Sequence, residues 1–90
     1  MRESDIEKYL VKKVKEIGGE CRKVKWIGRK SAPDRLVVFN GVYFIELKRP
    51  GKYLNPSQQR EYIRLTQLNA DVRCITTIEE VDEFINEIYP

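Results

Sequence analysis

Apolar and polar residues at the start of the chain follow two patterns in succession. From Asp5 to Ile17 the apolar residues recur at the spacing of one helix face. Ser4 and Glu7 fit a capping box at the start of this helix, and Gly18-Gly19 predicts its end. Glu20 to Ile27 then mixes apolar and charged residues in a way that predicts a strand.

The middle of the chain carries two runs rich in strand-forming residues. Arg35–Phe39 and Val42–Lys48 are separated only by Asn40-Gly41, a dipeptide typical of tight hairpins. Each run is apolar at consecutive positions, so both of its faces should be covered. The pattern therefore predicts a β-hairpin in the middle of a sheet.

The last third predicts a helix, a strand and a helix. Pro56 fits the first turn of a helix whose inward side would be Tyr62, Leu65 and Leu68, with Ile63 close by. Val72–Thr76 reads as a short strand, and Thr77–Ile88 as an amphipathic helix. A strand, a helix and a strand in succession favour a parallel crossover. The predicted fold class is α/β, with the order α-β-β-β-α-β-α around a mixed four-stranded sheet flanked by helices, in one domain of residues 1–90.

Composition limits the classes of protein that fit. The chain has 90 residues, 41% hydrophobic and 34% charged, which suits one small globular domain of marginal stability. No apolar run reaches the length of a bilayer-spanning helix, and the charged N-terminus has no signal region behind it. We therefore expect an intracellular protein without a membrane partner. The isolated Cys21 and Cys74, in a chain without histidine, argue against structural zinc and predict two buried, reduced thiols.

Charge is unevenly distributed along the chain. Residues 1–30 hold ten Lys and Arg against five Asp and Glu, whereas residues 71–90 hold one against six. The overall net charge is +3. Such asymmetry suggests a polyanionic partner on one side of the molecule, although a run of charges is also typical of a merely solvated face.

Two charges within the second hairpin strand need an explanation. Glu46 and Lys48 are two residues apart, so they share one face of the strand. Burying either charge costs several kcal/mol before pairing offsets it. One interpretation is that the strand ends near Ile45 and both charges are solvated. The other is a metal-binding carboxylate beside a lysine that stabilises charge developing on a phosphate.

Asp34, which follows Pro33 at the start of the first hairpin strand, offers a second carboxylate. Mg²⁺ prefers carboxylates, carbonyls and water, and Asp34, Glu46 and the Leu47 carbonyl would supply such a set. The hairpin register decides whether they meet. A two-residue loop pairs Phe39 with Val42 and puts Asp34 and Glu46 on opposite faces. A three-residue loop, with Gly41 in a left-handed bulge, pairs Val38 with Val42 and aligns Asp34 with Glu46.

Pro33-Asp34 followed by Glu46-Leu47-Lys48 resembles the signature of PD-(D/E)xK nucleases. The surroundings are similar, in order and spacing, to the stand-alone VRR-NUC domains, the virus-type replication-repair nucleases. The matching stretches are Gly18-Gly19, Ser31 to Val37, Phe44 to Gly51, and Leu54 to Gln58. Ser31 is a departure, because relatives often have glycine there.

The resemblance implies a restriction-endonuclease-like core that binds one or two Mg²⁺ or Mn²⁺ ions. Its metal ligands map to Asp34 and Glu46, and its catalytic lysine maps to Lys48. A glutamine maps to Gln58 rather than Gln59, with a solvent-facing first-turn residue as the alternative. A helix glutamate maps to Glu7, with Glu3 as the second choice. The alternative role for Glu7 is the capping box.

The same resemblance implies a structure-selective DNA endonuclease, acting on branched DNA such as four-way junctions. Flanking phosphates would be held by Arg29, Lys30, Arg49 and Lys52 without reading of base sequence. A homodimer is expected, since a symmetric junction needs two cuts and a small monomer gains stability from pairing. Its contact would use Trp26-Ile27 or Tyr53-Leu54. The resemblance also suggests a phage or mobile-element origin. The competing interpretations are a non-catalytic DNA-binding module and a protein-interaction domain that uses the acidic C-terminal helix.

Overall fold

The computed structural model describes all residues from Met1 to Pro90, and its elements follow the predicted order. The bounds are α1 Glu3–Glu16, β1 Glu20–Lys23, β2 Arg35–Val38, β3 Val42–Leu47, α2 Pro56–Gln67, β4 Val72–Ile75 and α3 Ile78–Ile88. The four strands form one sheet in the order β1-β2-β3-β4. The first two pairs are antiparallel, and β3 and β4 are parallel. The mixed sheet and the central hairpin are thus confirmed.

The two faces of the sheet are covered unequally. Helices α1 and α3 contribute to one cluster of eleven buried apolar residues with β2, β3 and β4; its strand members are Val37, Ile45, Leu47 and Ile75. The opposite face, which carries Phe44 and Glu46, is covered by Trp26 and by α2. No helix is long and apolar enough to cross a membrane.

Helix α2 does not present the predicted apolar side to the sheet. Its only buried residue is Glu61, whereas Leu68 is 75% exposed and Tyr62 and Leu65 are half-buried. The predicted inward side is therefore wrong. The physical reason is that Glu61 is satisfied by hydrogen bonds from Trp26 and Arg29, in the loop between β1 and β2, and from Arg64 of α2.

The beginning of α1 also differs from the prediction. The residue that caps the helix is Arg2, whose backbone N–H donates to the Asp5 carboxylate at 3.1 Å. Ser4 lies within the first turn, so the capping box of Ser4 and Glu7 is wrong. Glu7 instead accepts a hydrogen bond from Arg35 Nε at 2.7 Å.

The end of α1 follows the Gly18-Gly19 prediction. Gly18 has φ 84°, and the Gly19 N–H donates to the Val14 carbonyl at 2.9 Å, as in a Schellman motif. Gly19 is required for a different reason from Gly18, because the Gly19 Cα lies against the hairpin. A Cβ built there would stand 3.0 Å from Val14 Cγ1 and 3.1 Å from the Val38 carbonyl oxygen.

Gly19→Ala is therefore expected to lower the free energy of unfolding by about 1–3 kcal/mol, the usual cost of overpacking. The clash involves a backbone oxygen of the central hairpin, which cannot move without disturbing strand pairing. Urea unfolding monitored by circular dichroism measures this change. Ser4→Ala is the control, because Ser4 is exposed and makes no capping bond; equal stability of the two variants would contradict the close approach.

Strand β1 and the two thiols depart from expectation in smaller ways. The strand ends at Lys23 rather than Ile27, although the Val24 N–H still donates to the Asp34 carbonyl at 3.2 Å. Both cysteines are free as predicted, but Cys21 is half-buried and Cys74 is exposed. Cys74 is exposed because it lies on edge strand β4, on the face that α2 covers incompletely.

The hairpin adopts the register of a three-residue loop. Val38 pairs with Val42, and the alignment continues to Arg35 and Ile45. One further step places Asp34 opposite Glu46. The left-handed residue, however, is Asn40 at φ 49°, while Gly41 has φ 155°. Asparagine is one of the few residues with a side chain that tolerates this conformation, so the predicted left-handed Gly41 is wrong.

Candidate active site

Asp34 and Glu46 converge at the end of the central hairpin. Asp34 precedes β2 by one residue, and its Oδ2 accepts a hydrogen bond from the Leu47 N–H at 2.8 Å. This bond holds the Asp34 carboxylate against the peptide that joins Glu46 to Leu47. Glu46 itself is only 6% exposed. The local sequence therefore folds two acids, twelve residues apart, into one site.

The pKa of Glu46 shows that negative charge accumulates where Asp34 and Glu46 meet. Burial, a hydrogen bond with Asp34 and the negative charge of Asp34 raise the pKa of Glu46 to about 9, and Lys48 lowers it in part. A buried carboxyl group beside another acid remains protonated unless a cation neutralises the pair. The arrangement thus favours the binding of positive charge between Asp34 and Glu46.

The donor set suits Mg²⁺ or Mn²⁺. No group of three or more acidic, histidine or cysteine side chains is placed to hold a metal ion. Mg²⁺ is commonly bound through one or two carboxylates, with water and substrate phosphate as further ligands. Asp34, Glu46 and the Leu47 carbonyl fit that description, whereas a metal that demands three or four protein side chains does not fit.

Lys48 stands next to this pair. It follows β3 directly, and its N–H donates to the Ile75 carbonyl at 3.1 Å, so the strand path continues past Leu47. Its side chain is on the same side of the strand as Glu46, and its positive charge opposes the rise in the Glu46 pKa. The structure thus brings together the acid, acid and lysine of the sequence pattern.

The structure separates the two glutamates considered for α1. Glu7 is paired with Arg35, and both side chains are partly buried. Glu3, in the first turn, is the helix carboxylate whose negative charge contributes to the raised pKa of Glu46. Glu3 is therefore the acid of α1 with an electrostatic influence on the pair.

Gln58 forms a capping box with Asn55 at the start of α2. Its Oε1 accepts from the Asn55 N–H at 3.0 Å, and its own N–H donates to Asn55 Oδ1 at 2.9 Å. Its amide nitrogen makes no hydrogen bond within the protein. Gln59, the less favoured candidate, donates to the Leu54 carbonyl. Gln58 thus retains a free donor in the first turn of α2, next to Ser57.

Basic side chains lie in both segments that flank the acidic pair. Arg29 and Lys30 belong to the loop that leads into Asp34, and Arg49 and Lys52 belong to the turn after Lys48. All four are exposed. Arg29 is also paired with Glu61, at 3.3 Å. These positions are compatible with contacts to phosphates on either side of a bound backbone.

Sequence reasoning missed a second polar cluster, centred on Glu61. Its carboxylate accepts from Trp26 Nε1 at 2.7 Å and pairs with Arg29 and Arg64. The signal in the sequence was an acid three residues before an arginine on a helix face, but this spacing is also typical of solvated helix surfaces. The spacing does not reveal the long-range contact with Trp26, and this contact is part of what buries Glu61.

Comparison with known proteins gives two informative similarities. A solved structure titled "VRR_NUC domain" superposes with a TM-score of 0.88 and 31% identity, covering 97% of both chains. A protein of Acyrthosiphon pisum secondary endosymbiont phage 1, named "Putative nuclease p44", is 46% identical over 74 residues, covering 80% of each chain. No family model matches the sequence.

Proposed function

The chain is a nuclease of the VRR-NUC family, and we propose that it is a metal-dependent endonuclease that hydrolyses phosphodiester bonds in DNA. The observation that carries this proposal is the convergence of Asp34 and Glu46 beside Lys48. The similarity to a phage protein named as a nuclease supports a phage origin and a role inside a bacterial host. The basic half of the chain supports a polyanionic substrate.

In this proposal each residue of the site has a distinct task. Asp34, Glu46 and the Leu47 carbonyl would hold Mg²⁺ or Mn²⁺, and the Leu47 N–H fixes the orientation of the Asp34 carboxylate. When bound, the metal ion supplies Lewis-acid stabilisation of the phosphate and lowers the pKa of a coordinated water. The Lys48 ammonium orients the attacking water and stabilises the negative charge of the transition state. The oxygen of the attacking water bonds to phosphorus as the bond to the leaving oxygen breaks. The water gives up its proton to solvent, and solvent protonates the leaving oxygen.

The surrounding residues position the substrate. Arg29, Lys30, Arg49 and Lys52 bind phosphates on the two sides of the cut, and Gln58 offers its free amide nitrogen to the strand. Contacts to phosphates orient a duplex but carry no base information. We therefore expect cleavage that depends on DNA structure rather than on base sequence.

A cleavage assay tests the central proposal. The protein is incubated with linear and branched DNA in Mg²⁺, in Mn²⁺ and in EDTA, with Asp34→Asn as the matched inactive variant. The proposal expects cuts with metal and none with EDTA or with the variant. Equal cutting by the variant and the parent protein would contradict the site, and calorimetry with Mn²⁺ and Asp34→Ala checks metal binding separately.

We further propose that the working unit is a homodimer that prefers four-way junctions. One chain has a radius of gyration of 12.6 Å and one acidic pair, while symmetric resolution of a junction needs two cuts on opposed strands. Of the residues considered for the contact, Ile27 and Tyr53 are 97% and 86% exposed. Trp26 is engaged with Phe44 and Glu61, so it is less available.

Light scattering at micromolar concentration tests the dimer, with Ile27→Asp and Tyr53→Asp separating the two contacts. Paired nicking of a mobile junction, compared with linear duplex and flaps, tests the substrate. A monomer that nicks all three DNAs equally would contradict both parts and leave the nuclease proposal in place.

The two glutamates of α1 lead to opposite expectations. Glu3→Gln is expected to weaken Mn²⁺ binding and slow cleavage, because its charge acts on Glu46. Glu7→Gln is expected to leave metal affinity nearly unchanged and to lower the free energy of unfolding by about 1 kcal/mol, since it weakens the partly buried pair with Arg35. Calorimetry and urea unfolding of both variants measure the difference. The reverse pattern would assign the role to Glu7.

A further inference from the structure

A basic cavity of about 150 Å³ opens between α2 and the loop that leads into Asp34. No hydrophobic residue lines it. Its lining residues are Arg29, Lys30, Ser57, Arg60, Glu61 and Arg64, which we call the arginine pocket. Four cationic side chains thus surround a single carboxylate, and the cavity carries a net positive charge.

Glu61 organises two of these cations. Its carboxylate is almost fully buried, yet it accepts from Trp26 and pairs with Arg29 and Arg64 at 3.3 and 3.4 Å. A guanidinium has five N–H donors, so one bond to Glu61 leaves the others free. The side chains of Arg29 and Arg64 are half exposed, which keeps those donors accessible from solvent. The buried carboxylate of Glu61 therefore holds the guanidinium groups of Arg29 and Arg64 in an open cavity.

The other two cations have no acidic partner. Lys30 and Arg60 are exposed and take part in no salt bridge, so nothing in the protein neutralises them. Arginine guanidinium groups beside an unpaired lysine ammonium group are the side chains that recognise phosphate oxygens. A cavity without apolar lining suits a small, fully charged group rather than a base or an apolar ligand.

A hydrogen bond joins the pocket to the loop that leads into Asp34. Ser31 Oγ and Ser57 Oγ are hydrogen-bonded at 2.6 Å, which joins the loop before Asp34 to the first turn of α2. Ser31 itself holds a left-handed conformation at φ 65°. An anion in the pocket would thus be fixed relative to Asp34, only a few residues further along the chain.

We propose that the arginine pocket binds one phosphate group of the nucleic acid and thereby positions the strand for the cut at Asp34 and Glu46. The identity of the substrate rests on the proposed function, whereas the anion site rests on the pocket itself. The phosphate has two sources that share this chemistry, an internal phosphodiester and a terminal phosphomonoester. Glu61 acts as a positioning residue through Arg29 and Arg64.

The protein contains one tryptophan, Trp26, and its indole N–H is bonded to Glu61 at the wall of the pocket. Inorganic phosphate is therefore expected to change Trp26 fluorescence saturably, compared with chloride at equal ionic strength. The double variant Lys30→Ala with Arg60→Ala should lose this response while keeping the Glu61 contacts intact. Lys12→Ala, an exposed cation on α1 across the sheet, is the matched control and should respond like the parent protein. An identical response in the double variant would overturn the proposal.

DNA binding in EDTA gives the second measurement, independent of cleavage. Arg60→Ala is expected to weaken binding about tenfold, the scale of losing a charged hydrogen bond. It should also lower the slope of log affinity against log salt by about one. Lys12→Ala removes the same charge and should change neither quantity comparably. If both variants lose the same DNA affinity, the loss reflects overall charge rather than the pocket, and the assignment is overturned.

The two phosphate sources are distinguished with three versions of one duplex: 5′-phosphorylated, dephosphorylated, and closed at both ends by hairpins. If the pocket holds a terminal phosphate, dephosphorylation weakens binding of the parent protein to the level of Arg60→Ala. If it holds an internal phosphate, the Arg60→Ala loss persists on the closed duplex. A variant with no loss on any of the three overturns the pocket, even where the parent protein cuts DNA normally.

Glu61→Gln tests the positioning role by the sign of its effect. It removes a negative charge, so general electrostatics would tighten DNA binding. Loss of the fixed arginine forks should instead weaken binding and lower the salt slope, with the circular dichroism spectrum unchanged. Tighter binding by this folded variant would show that Glu61 does not position the arginines.

Discussion

Lys48→Ala is expected to slow DNA cleavage by about two orders of magnitude or more, the usual loss when one preorganised electrostatic donor is removed. The positive charge of Lys48 already opposes the rise in the Glu46 pKa. In the proposed reaction it acts mainly on the transition state, where the phosphate gains negative charge. The affinity for Mn²⁺ should therefore change little.

Single-turnover cleavage with saturating protein measures this loss without interference from DNA release. Lys52→Ala is a useful comparison, because Lys52 is an exposed cation four residues further on and is proposed to hold only a flanking phosphate. Its effect should be on DNA affinity rather than on the rate of the bound complex. A Lys48→Ala protein that cuts at nearly the parent rate would make Lys48 an ordinary surface lysine.

The sequence predicts the fold well where local pattern and turn chemistry agree. The Asn40-Gly41 hairpin, the end of α1 at Gly18-Gly19 and the helix start at Pro56 each depend on backbone preferences that act over a few residues. The sequence left the register of the hairpin undecided, because Asn40-Gly41 is compatible with a two-residue and with a three-residue loop. Pairing across β2 and β3 decides it in favour of the alignment of Asp34 with Glu46.

The prediction fails where long-range contacts decide. Nothing near Glu61 in the sequence shows that Trp26 and Arg29 approach it, so α2 was assigned an apolar side that remains largely exposed. The choice between Glu3 and Glu7 depends on contacts of the same long-range kind. The contact of Glu7 with Arg35 spans 28 residues and depends on how α1 lies across β2. A spacing pattern identifies candidate acids, but packing selects among them.

Glu46→Gln is expected to raise the stability of the metal-free protein while abolishing Mn²⁺ binding. The pKa of Glu46 is raised from 4.5 to about 9, chiefly by burial and by Asp34. The folded state therefore binds a proton that the unfolded state releases between these values. By linkage, the stability contribution of Glu46 is fully present below pH 4.5 and is lost as pH rises toward 9. Glutamine resembles the protonated acid and carries no such penalty.

Urea unfolding in EDTA between pH 5 and pH 8.5 measures this difference. The gain from Glu46→Gln should be small near pH 5 and should exceed about 1 kcal/mol at pH 8, since one pKa unit corresponds to about 1.36 kcal/mol. Mn²⁺ at a hundredfold excess over its Kd should stabilise only the parent protein, by about 2.7 kcal/mol. Glu83→Gln, an exposed acid on α3, is the control and should show neither effect. A gain that is the same at pH 5 and pH 8, or a variant still stabilised by Mn²⁺, would mean that Glu46 is not the destabilising acid whose charge the metal neutralises.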